Sequence, residues 1–257
     1  MRVAVVVSTW TGHPPDYLRA LCASFERHEA GADYALVLCA NGEDYRLPSG
    51  LESAFERIFV RENVGFNMGA WDFAWRRLDD YDRFLFAQDD CYVRQRRWLR
   101  DFIACFERTP RCGLVGENLR RPWNKPWDVL LRENGERSSS EPRADGGAAR
   151  ARYYRKLIED WGIPPGENAR HLTAVVQFTS REALEAVDGY NIAATYQEAI
   201  AAEIAFSRKI EARGLQLAQV GRYRHSRIGH RQWRQKDPIS RWRRSMAKRI
   251  RRLTGRP

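Results

Sequence analysis

Hydrophobic residues in the first half of this chain alternate between short continuous runs and helical spacing. The valine-rich run at 3–7 predicts a buried strand, and residues 15–28 have their apolar side chains on one helical face. This rhythm predicts an α/β fold, a mostly parallel sheet flanked by helices, because parallel strands need a crossover between them. The predicted strands are 3–7, 34–39, 57–60, 84–87 and 113–116, and the predicted helices are 15–28, 51–55, 69–78 and 98–107.

The pattern is lost between residues 133 and 152, which are polar, rich in Gly and Ser and without apolar periodicity. We predict a mobile surface loop there, and long loops inside a compact domain often serve as lids or substrate loops. Order returns after this segment. The predicted elements are a strand at 172–179, helices at 181–187 and 197–213, and a strand at 215–220.

The positive charge of the chain is concentrated at one end. The net charge is +11, but residues 231–257 contain eleven Lys and Arg and one acidic residue, which leaves about +1 for residues 1–230. We therefore expect one nearly neutral domain over 1–230 followed by a basic tail over 231–257. Nucleic acid is not the expected partner, because no recognition fold accompanies the tail.

The tail has a helical stripe of apolar residues. Between 239 and 253 they recur at intervals of 3, 4, 4 and 3, and almost all other residues are Arg, Lys or Ser. A basic amphipathic helix of this kind suits an anionic membrane surface. Packing on the domain, or in the seam of a homodimer, is the alternative. With no apolar run long enough to span a membrane and no signal-peptide pattern, we expect a cytoplasmic protein, peripheral at the inner membrane.

Two carboxylates follow the apolar run at 84–87. Gln88 ends that strand, and Asp89 and Asp90 come directly after it. Ligands of open α/β sheets bind at the carboxyl ends of the strands, and adjacent carboxylates in a poorly solvated place are costly unless a cation neutralises them. The sequence therefore predicts a site for a metal ion and a phosphate here.

Further short motifs occur in a fixed order around this one. They are VAVVVSTW with PPDYLRALCASF, then LVLCANG, NVGF at 63–66, SREAL at 180–184 with DGY at 188–190, and AE at 202–203 ahead of Gly214. With QDD at 88–90 in the place of a DxD motif, this order resembles the nucleotide-sugar glycosyltransferases of the GT-A fold, specifically family 2. The resemblance covers about residues 1–230.

The resemblance implies a role for each matched residue. Asp90 would hold Mn²⁺ or Mg²⁺, with His230 or His225 as a further ligand. Glu203 would be the general base, with Glu198 as a nearby rival. The donor, a UDP-, GDP- or dTDP-linked sugar, would contact Thr9, Trp10, Asn41, Asn63, Gly65, Gly69, Asp72, Gln88 and Asp89. For Asp72, capping or solvating its helix is the alternative role, and for the aromatic segment 120–127 both acceptor binding and core packing are open.

By resemblance, the expected activity is metal-dependent, inverting transfer of a hexosyl unit to a glycan or lipid-linked acceptor in bacterial surface-polysaccharide synthesis. Gln88 replaces one carboxylate of the family motif and Ala202 replaces another, so a glycan-binding or scaffold protein on a decayed GT-A fold stays open. A sugar-nucleotide nucleotidyltransferase is the other alternative. It would need a Gly-rich basic loop after the first strand, and STWTGHPPDY does not provide one.

Overall fold

The computed structural model describes residues 1–136 and 147–231. The stripe at 239–253, with its membrane and dimer interpretations, lies outside these ranges, as does the middle of the segment 133–152. Within the described residues, no helix is long and apolar enough to cross a membrane.

Strands and helices alternate along the first half of the chain, as the hydrophobic pattern predicts. The strands are β1 (Val3–Trp10), β2 (Ala35–Asn41), β3 (Arg57–Arg61), β4 (Arg83–Gln88), β5 (Cys91–Val93), β6 (Cys112–Gly116), β7 (Val176–Ser180), β8 (Gln216–Gln219) and β9 (Ile228–His230). The helices are α1 (Pro15–Arg27), α2 (Phe66–Trp75), α3 (Trp98–Arg108), α4 (Trp127–Glu136), α5 (Gly147–Asp160), α6 (Arg181–Ala186) and α7 (Tyr196–Ala212), with a short 3₁₀ turn at Arg121–Trp123.

Seven of the strands form one sheet in the order β3-β2-β1-β4-β7-β6-β8. β7 runs antiparallel to both of its neighbours, and the other pairs in this sheet are parallel. β5 and β9 pair antiparallel in a small second sheet. The predicted α/β class with a mostly parallel sheet flanked by helices is confirmed.

Alternate residues of β1 enter two separate cores, which explains why the strand is apolar throughout. Val5 and Val7 lie in the layer with α1 and α3, and Ala4 and Val6 lie in the layer with α2, α6 and α7. A strand covered by helices on both faces has no polar side, so its sequence reads as a continuous apolar run.

Two local predictions differ from the structure. Residues 51–55 form turns rather than a helix. The described parts of the predicted loop 133–152 are helical, because α4 extends to Glu136 and α5 begins at Gly147. The buried stripe of Ala151, Tyr154 and Ile158 on α5 packs against α4 and α7 in a third apolar cluster. Polar residues on the other faces of α5 concealed that stripe.

Candidate active site at the carboxyl edge of the sheet

A pocket of about 340 Å³ opens where β1, β2 and β4 end. The three strands are parallel, and Ser8 of β1 is paired with Gln88 of β4, so the residues that follow them meet at one edge. The volume lies in the range of small-ligand sites. Six of the predicted donor-contacting residues line the pocket: Thr9, Trp10, Asn41, Asn63, Gln88 and Asp89.

The pocket also contains residues for which the sequence analysis predicts no role. They are Ser8, His13, Phe66, Asn67 and Tyr196. Trp10, Phe66 and Tyr196 expose large aromatic surfaces there. Phe66 also has a left-handed backbone conformation, with φ +55°. An exposed aromatic in a strained backbone conformation is a recognisable mark of a binding site, but it becomes visible only in three dimensions.

The glycines at the start of α2 and in its first turns shape the chain rather than the pocket wall. Gly65 has φ +77°, and a Cβ on Gly69 would overlap the carbonyl oxygen of Val64. Both residues were predicted to let a ligand approach the backbone. Neither lines the pocket. The group that approaches Gly69 closely is the backbone of Val64 in the preceding turn, not a ligand.

Asp72 is likewise not among the residues that line the pocket. Its carboxylate accepts hydrogen bonds from Trp75 Nε1 at 3.0 Å, Arg76 Nε at 2.8 Å and the backbone N–H of Tyr190 at 2.9 Å. The side chain therefore ties α2 to the turn after α6. It is buried in this role, which differs from the predicted donor-sugar contact and from the solvated alternative.

Asp89 is held rigidly at the pocket wall. It is 1% exposed, and its two oxygens contact Thr9 Oγ1 at 2.6 Å and His13 Nδ1 at 2.7 Å. The hydrogen bond to Asp89 raises the pKa of His13, with a further contribution from the negative charge of Asp90 and an opposing one from burial. The pocket therefore has a carboxylate that is already paired and an imidazole that readily becomes cationic.

Asp90 lies behind this wall and faces His230. Pairing of β5 with β9 sets Cys91 opposite His230. This brings His230 Nε2 to 2.9 Å from Asp90 Oδ1 and 3.3 Å from Gln88 Oε1. Asp90 Oδ1 is buried and accepts no hydrogen bond of good geometry within the described structure.

His225, the other candidate, has a different environment. Burial, followed by the proximity of His230, lowers its pKa to about 4. Its backbone N–H donates to Glu117 O, and its carbonyl accepts from Arg94. The structure thus brings His230, rather than His225, to the side of Asp90.

The pair of Asp90 and His230 fits a divalent cation that shares its coordination with a ligand. A buried carboxylate oxygen without a hydrogen bond, beside an imidazole nitrogen, is a suitable donor set for such an ion. Among the described residues no group of three His, Cys, Asp or Glu side chains could hold a metal ion. A cation here would need further oxygen ligands, such as water or the phosphates of a nucleotide.

Glu203 lies on α7 and is connected to the pocket through a single residue, Ala174. Its Oε2 accepts from the N–H of Ala174 at 2.7 Å, and the carbonyl oxygen of Ala174 accepts from Asn67 Nδ2 and Gln88 Nε2, two pocket residues. The rival Glu198 accepts from the N–H of Ala194 at the start of the same helix. Glu198 therefore serves as a helix cap in this structure.

In the aromatic segment 120–127 the structure shows packing contacts, and an acceptor-binding role stays a prediction. Trp127 is buried among α4, α5 and α7, and its Nε1 donates to the carbonyl of Pro165. Trp123 is half-buried, and its ring centroid lies 6.1 Å from that of His171. Trp127 is thus a core residue. Trp123 contacts His171, and His171 in turn contacts Glu203.

Comparison with known proteins places the fold. No protein-family model and no curated protein sequence matches the chain. The structure is similar to a mannosyltransferase, PcManGT from Pyrobaculum calidifontis, in complex with GDP-Man and Mn²⁺, with a TM-score of 0.51 and 14% identity over 85% of this chain and 54% of that one. TarS from S. aureus matches 47% of this chain and 22% of its own, with a TM-score of 0.36 and 15% identity, which is too low to support an argument.

The chain thus spans about half the length of the mannosyltransferase that it resembles. At this identity the likeness shows the fold alone: the protein shares the α/β fold of that mannosyltransferase. Assignment to family 2 stays a prediction.

Proposed function

We propose that this protein is a glycosyltransferase that moves a sugar from a nucleotide-sugar donor to a glycan or lipid-linked acceptor. The observation that supports this best is the pocket where β1, β2 and β4 end, in which exposed aromatic rings and four side-chain amides lie beside Asp89. Aromatic faces stack on bases and sugars, and amides supply both donors and acceptors of hydrogen bonds. The carboxyl edge of the sheet is also where α/β folds bind nucleotides.

Asp90 and His230 would hold Mn²⁺ or Mg²⁺ in this reaction. Such an ion would share its coordination with the donor diphosphate and neutralise the charge that develops as the nucleotide leaves. His13, whose pKa is raised by Asp89, would add positive charge at the pocket. GDP-mannose is the first donor to test, since the similar mannosyltransferase was solved with it. UDP- and dTDP-linked sugars are the alternatives.

Glu203 would accept the proton of the acceptor hydroxyl in a single, inverting displacement. Its side chain is 16% exposed and is linked through Ala174 to Asn67 and Gln88 of the pocket, whereas the side chain of Asp89 is 2% exposed and engaged by Thr9 and His13. Glu203 is therefore the better placed carboxylate for a proton acceptor. Proton NMR of the transfer product tests this step, and a new glycosidic bond with the anomeric configuration of the donor would contradict it.

The first experiment is a thermal-shift screen with GDP-, UDP- and dTDP-linked sugars, each with Mn²⁺, with Mg²⁺ and with EDTA. A nucleotide at 100 times its dissociation constant stabilises the folded state by about 2.7 kcal/mol, which is readily seen. We expect one nucleotide to raise the melting temperature only with metal, and to do so no longer in Asp90→Ala. Release of the nucleoside diphosphate then measures turnover. Binding without release would instead indicate a binding protein on this fold.

We further propose that the protein acts at an anionic membrane surface in the synthesis of a bacterial surface polysaccharide. Support comes from the sequence pattern at 239–253, and the test is co-sedimentation with vesicles of phosphatidylglycerol and phosphatidylcholine. Replacing Trp242 and Ile250 by Glu should abolish binding, whereas Ser240→Glu with Ser245→Glu makes the same charge change off the stripe and should weaken it less. Equal loss in both variants would mean that charge alone is responsible.

A further inference from the structure

A buried histidine lies behind Glu203, and no sequence motif indicated it. His171 is 1% exposed and lies in the segment between α5 and β7. Its Nδ1 is 2.8 Å from the carbonyl oxygen of Ala169. A carbonyl only accepts hydrogen bonds, so Nδ1 carries a proton and donates it. The position of the ring is thereby set by the backbone on one side.

The other ring nitrogen of His171 faces the carboxylate. Nε2 lies 3.2 Å from Glu203 Oε1 and makes no hydrogen bond of good geometry with any described group. A nitrogen lone pair facing a carboxylate oxygen in a buried place is unfavourable, because neither atom has water as a substitute partner. A proton on Nε2 makes the same approach a favourable ion pair, and a small rotation of the carboxylate then completes a charge-assisted hydrogen bond.

Two further contacts restrain this arrangement. Glu203 Oε2 accepts from the N–H of Ala174, so the carboxylate has a donor for each oxygen once His171 Nε2 is protonated. The ring of Trp123 packs edge-on against the imidazole, with an interplanar angle of 66°. The order is a carbonyl, an imidazole and a carboxylate, in which each group orients the next.

We infer that His171 is a positioning residue, which holds Glu203 in the orientation needed to accept the proton of the acceptor hydroxyl. This inference rests on the proposed function, since it assigns to His171 a part in that reaction. A catalytic base is commonly oriented by a third group through a hydrogen bond, and misplacement of a reacting group by about 1 Å costs roughly 100-fold in rate.

The test uses two substitutions, each of which keeps a hydrogen-bond donor near the position of a different ring nitrogen of His171. In His171→Asn the amide can still donate to Ala169 O but does not reach Glu203, and in His171→Gln it can donate to Glu203. With the donor selected by thermal shift, we expect His171→Asn to lower kcat for nucleoside diphosphate release by about 10- to 100-fold. The donor KM and the nucleotide-induced thermal shift should stay as in the wild type, and His171→Gln should recover most of kcat.

A spectroscopic measurement tests the contact without requiring activity. In the wild type, the ¹⁵N chemical shift of His171 Nε2 should be that of a protonated, hydrogen-bonded nitrogen. In Glu203→Gln it should move, because a neutral amide replaces the carboxylate. This readout also serves if His171→Asn does not fold.

The outcomes separate this inference from the proposed function. If Glu203→Gln abolishes turnover while His171→Asn keeps the wild-type kcat, His171 has no positioning role and the proposed function stands. If the wild type turns over none of the donors, the proposed function fails. An Nε2 shift that does not change between wild type and Glu203→Gln would overturn the contact itself.

Discussion

The side-chain amide of Gln88 donates to the carbonyl oxygen of Ala174 over 2.8 Å, and the N–H of Ala174 donates to Glu203 over 2.7 Å. On its other side, Gln88 Oε1 faces His230 Nε2 at 3.3 Å. The backbone of one residue, Ala174, therefore links the end of β4 to α7. The Gln88 amide donates to a carbonyl oxygen, whereas a carboxylate at this position would only accept.

Gln88→Glu should therefore impair the site although it restores a carboxylate to the family motif. The substitution keeps the side-chain length but sets an oxygen against the carbonyl of Ala174 at a half-buried position, which we expect to cost about 1 kcal/mol, the low end of the range for an unpaired group. We expect a melting temperature lower by roughly 2–4 °C per kcal/mol and slower release of the nucleoside diphosphate. Both are measured beside Gln216→Glu, the same change at an exposed position of β8. Wild-type stability and turnover in Gln88→Glu would show that the donor function is dispensable.

The contact between His13 and Asp89 should make stability depend on pH. The pKa of His13 is raised above its usual 6.5 in the folded state, mainly by the hydrogen bond to Asp89. The stabilisation is therefore fully present below pH 6.5 and is lost as the pH rises through the folded-state pKa. His13→Asn keeps a donor near the position of Nδ1 but does not titrate. Urea unfolding from pH 6 to 9 should show a decline in the free energy of unfolding that is smaller in this variant, and equal declines would contradict the assignment.

Gly69→Ala should destabilise the protein, against the usual trend for helices. Replacing glycine by alanine in a helix normally stabilises it by about 0.5–1 kcal/mol. Here the added Cβ would overlap the backbone oxygen of Val64, which is not the end of a flexible side chain. We expect a net loss of about 1–3 kcal/mol, typical of overpacking, and measure it by urea unfolding. An unchanged or higher free energy of unfolding would mean that the turn before α2 moves aside at little cost.

The sequence predicts those strands and helices whose own pattern of apolar side chains is sufficient to determine them. β1 and β4 are apolar on both faces because helices cover both, and the ends of these strands placed Thr9, Trp10 and Asp89 in the pocket. The direction of β7 could not be predicted in this way. The sequence VQFTS would suit a strand of either direction, and its antiparallel course depends on the path through α4 and α5, whose apolar stripes the polar segment concealed.

The contacts that complete the site could not be predicted from the sequence, for a different reason: they join residues that are far apart along the chain. His13 reaches Asp89 from 76 residues away, and His171 reaches Glu203 from another element of the fold. Neither histidine belongs to a motif, so only the folded chain brings them to the carboxylates. For Asp72 the sequence predicted a contact that the structure does not show. Its spacing from Gly69 suggested a ligand contact, but in the structure Trp75, Arg76 and Tyr190 occupy its carboxylate.

Glu117 should control the position of His230 without touching it. Its carboxylate accepts from the backbone N–H groups of Ser226, Arg227 and Ile228 at 2.8, 2.8 and 2.6 Å, just before β9 brings His230 to Asp90.

Burial raises the pKa of Glu117 to about 7, against the lowering effect of these three donors. Because the folded-state pKa lies above the ordinary value of 4.5, the contribution of Glu117 to the free energy of unfolding is largest below pH 4.5 and is lost as the pH rises through about 7.

Glu117→Gln removes this titration and replaces one accepting oxygen by a donor, which leaves at least one backbone N–H unpaired. We expect a smaller decline in unfolding free energy between pH 4.5 and 7, a lower melting temperature, and a weaker Mn²⁺-dependent nucleotide shift. Glu107→Gln, on the exposed face of α3, is the matched control. If Glu117→Gln lowers the melting temperature but leaves the Mn²⁺ dependence intact, the loop is held for stability alone and His230 is positioned by the pairing of β5 with β9.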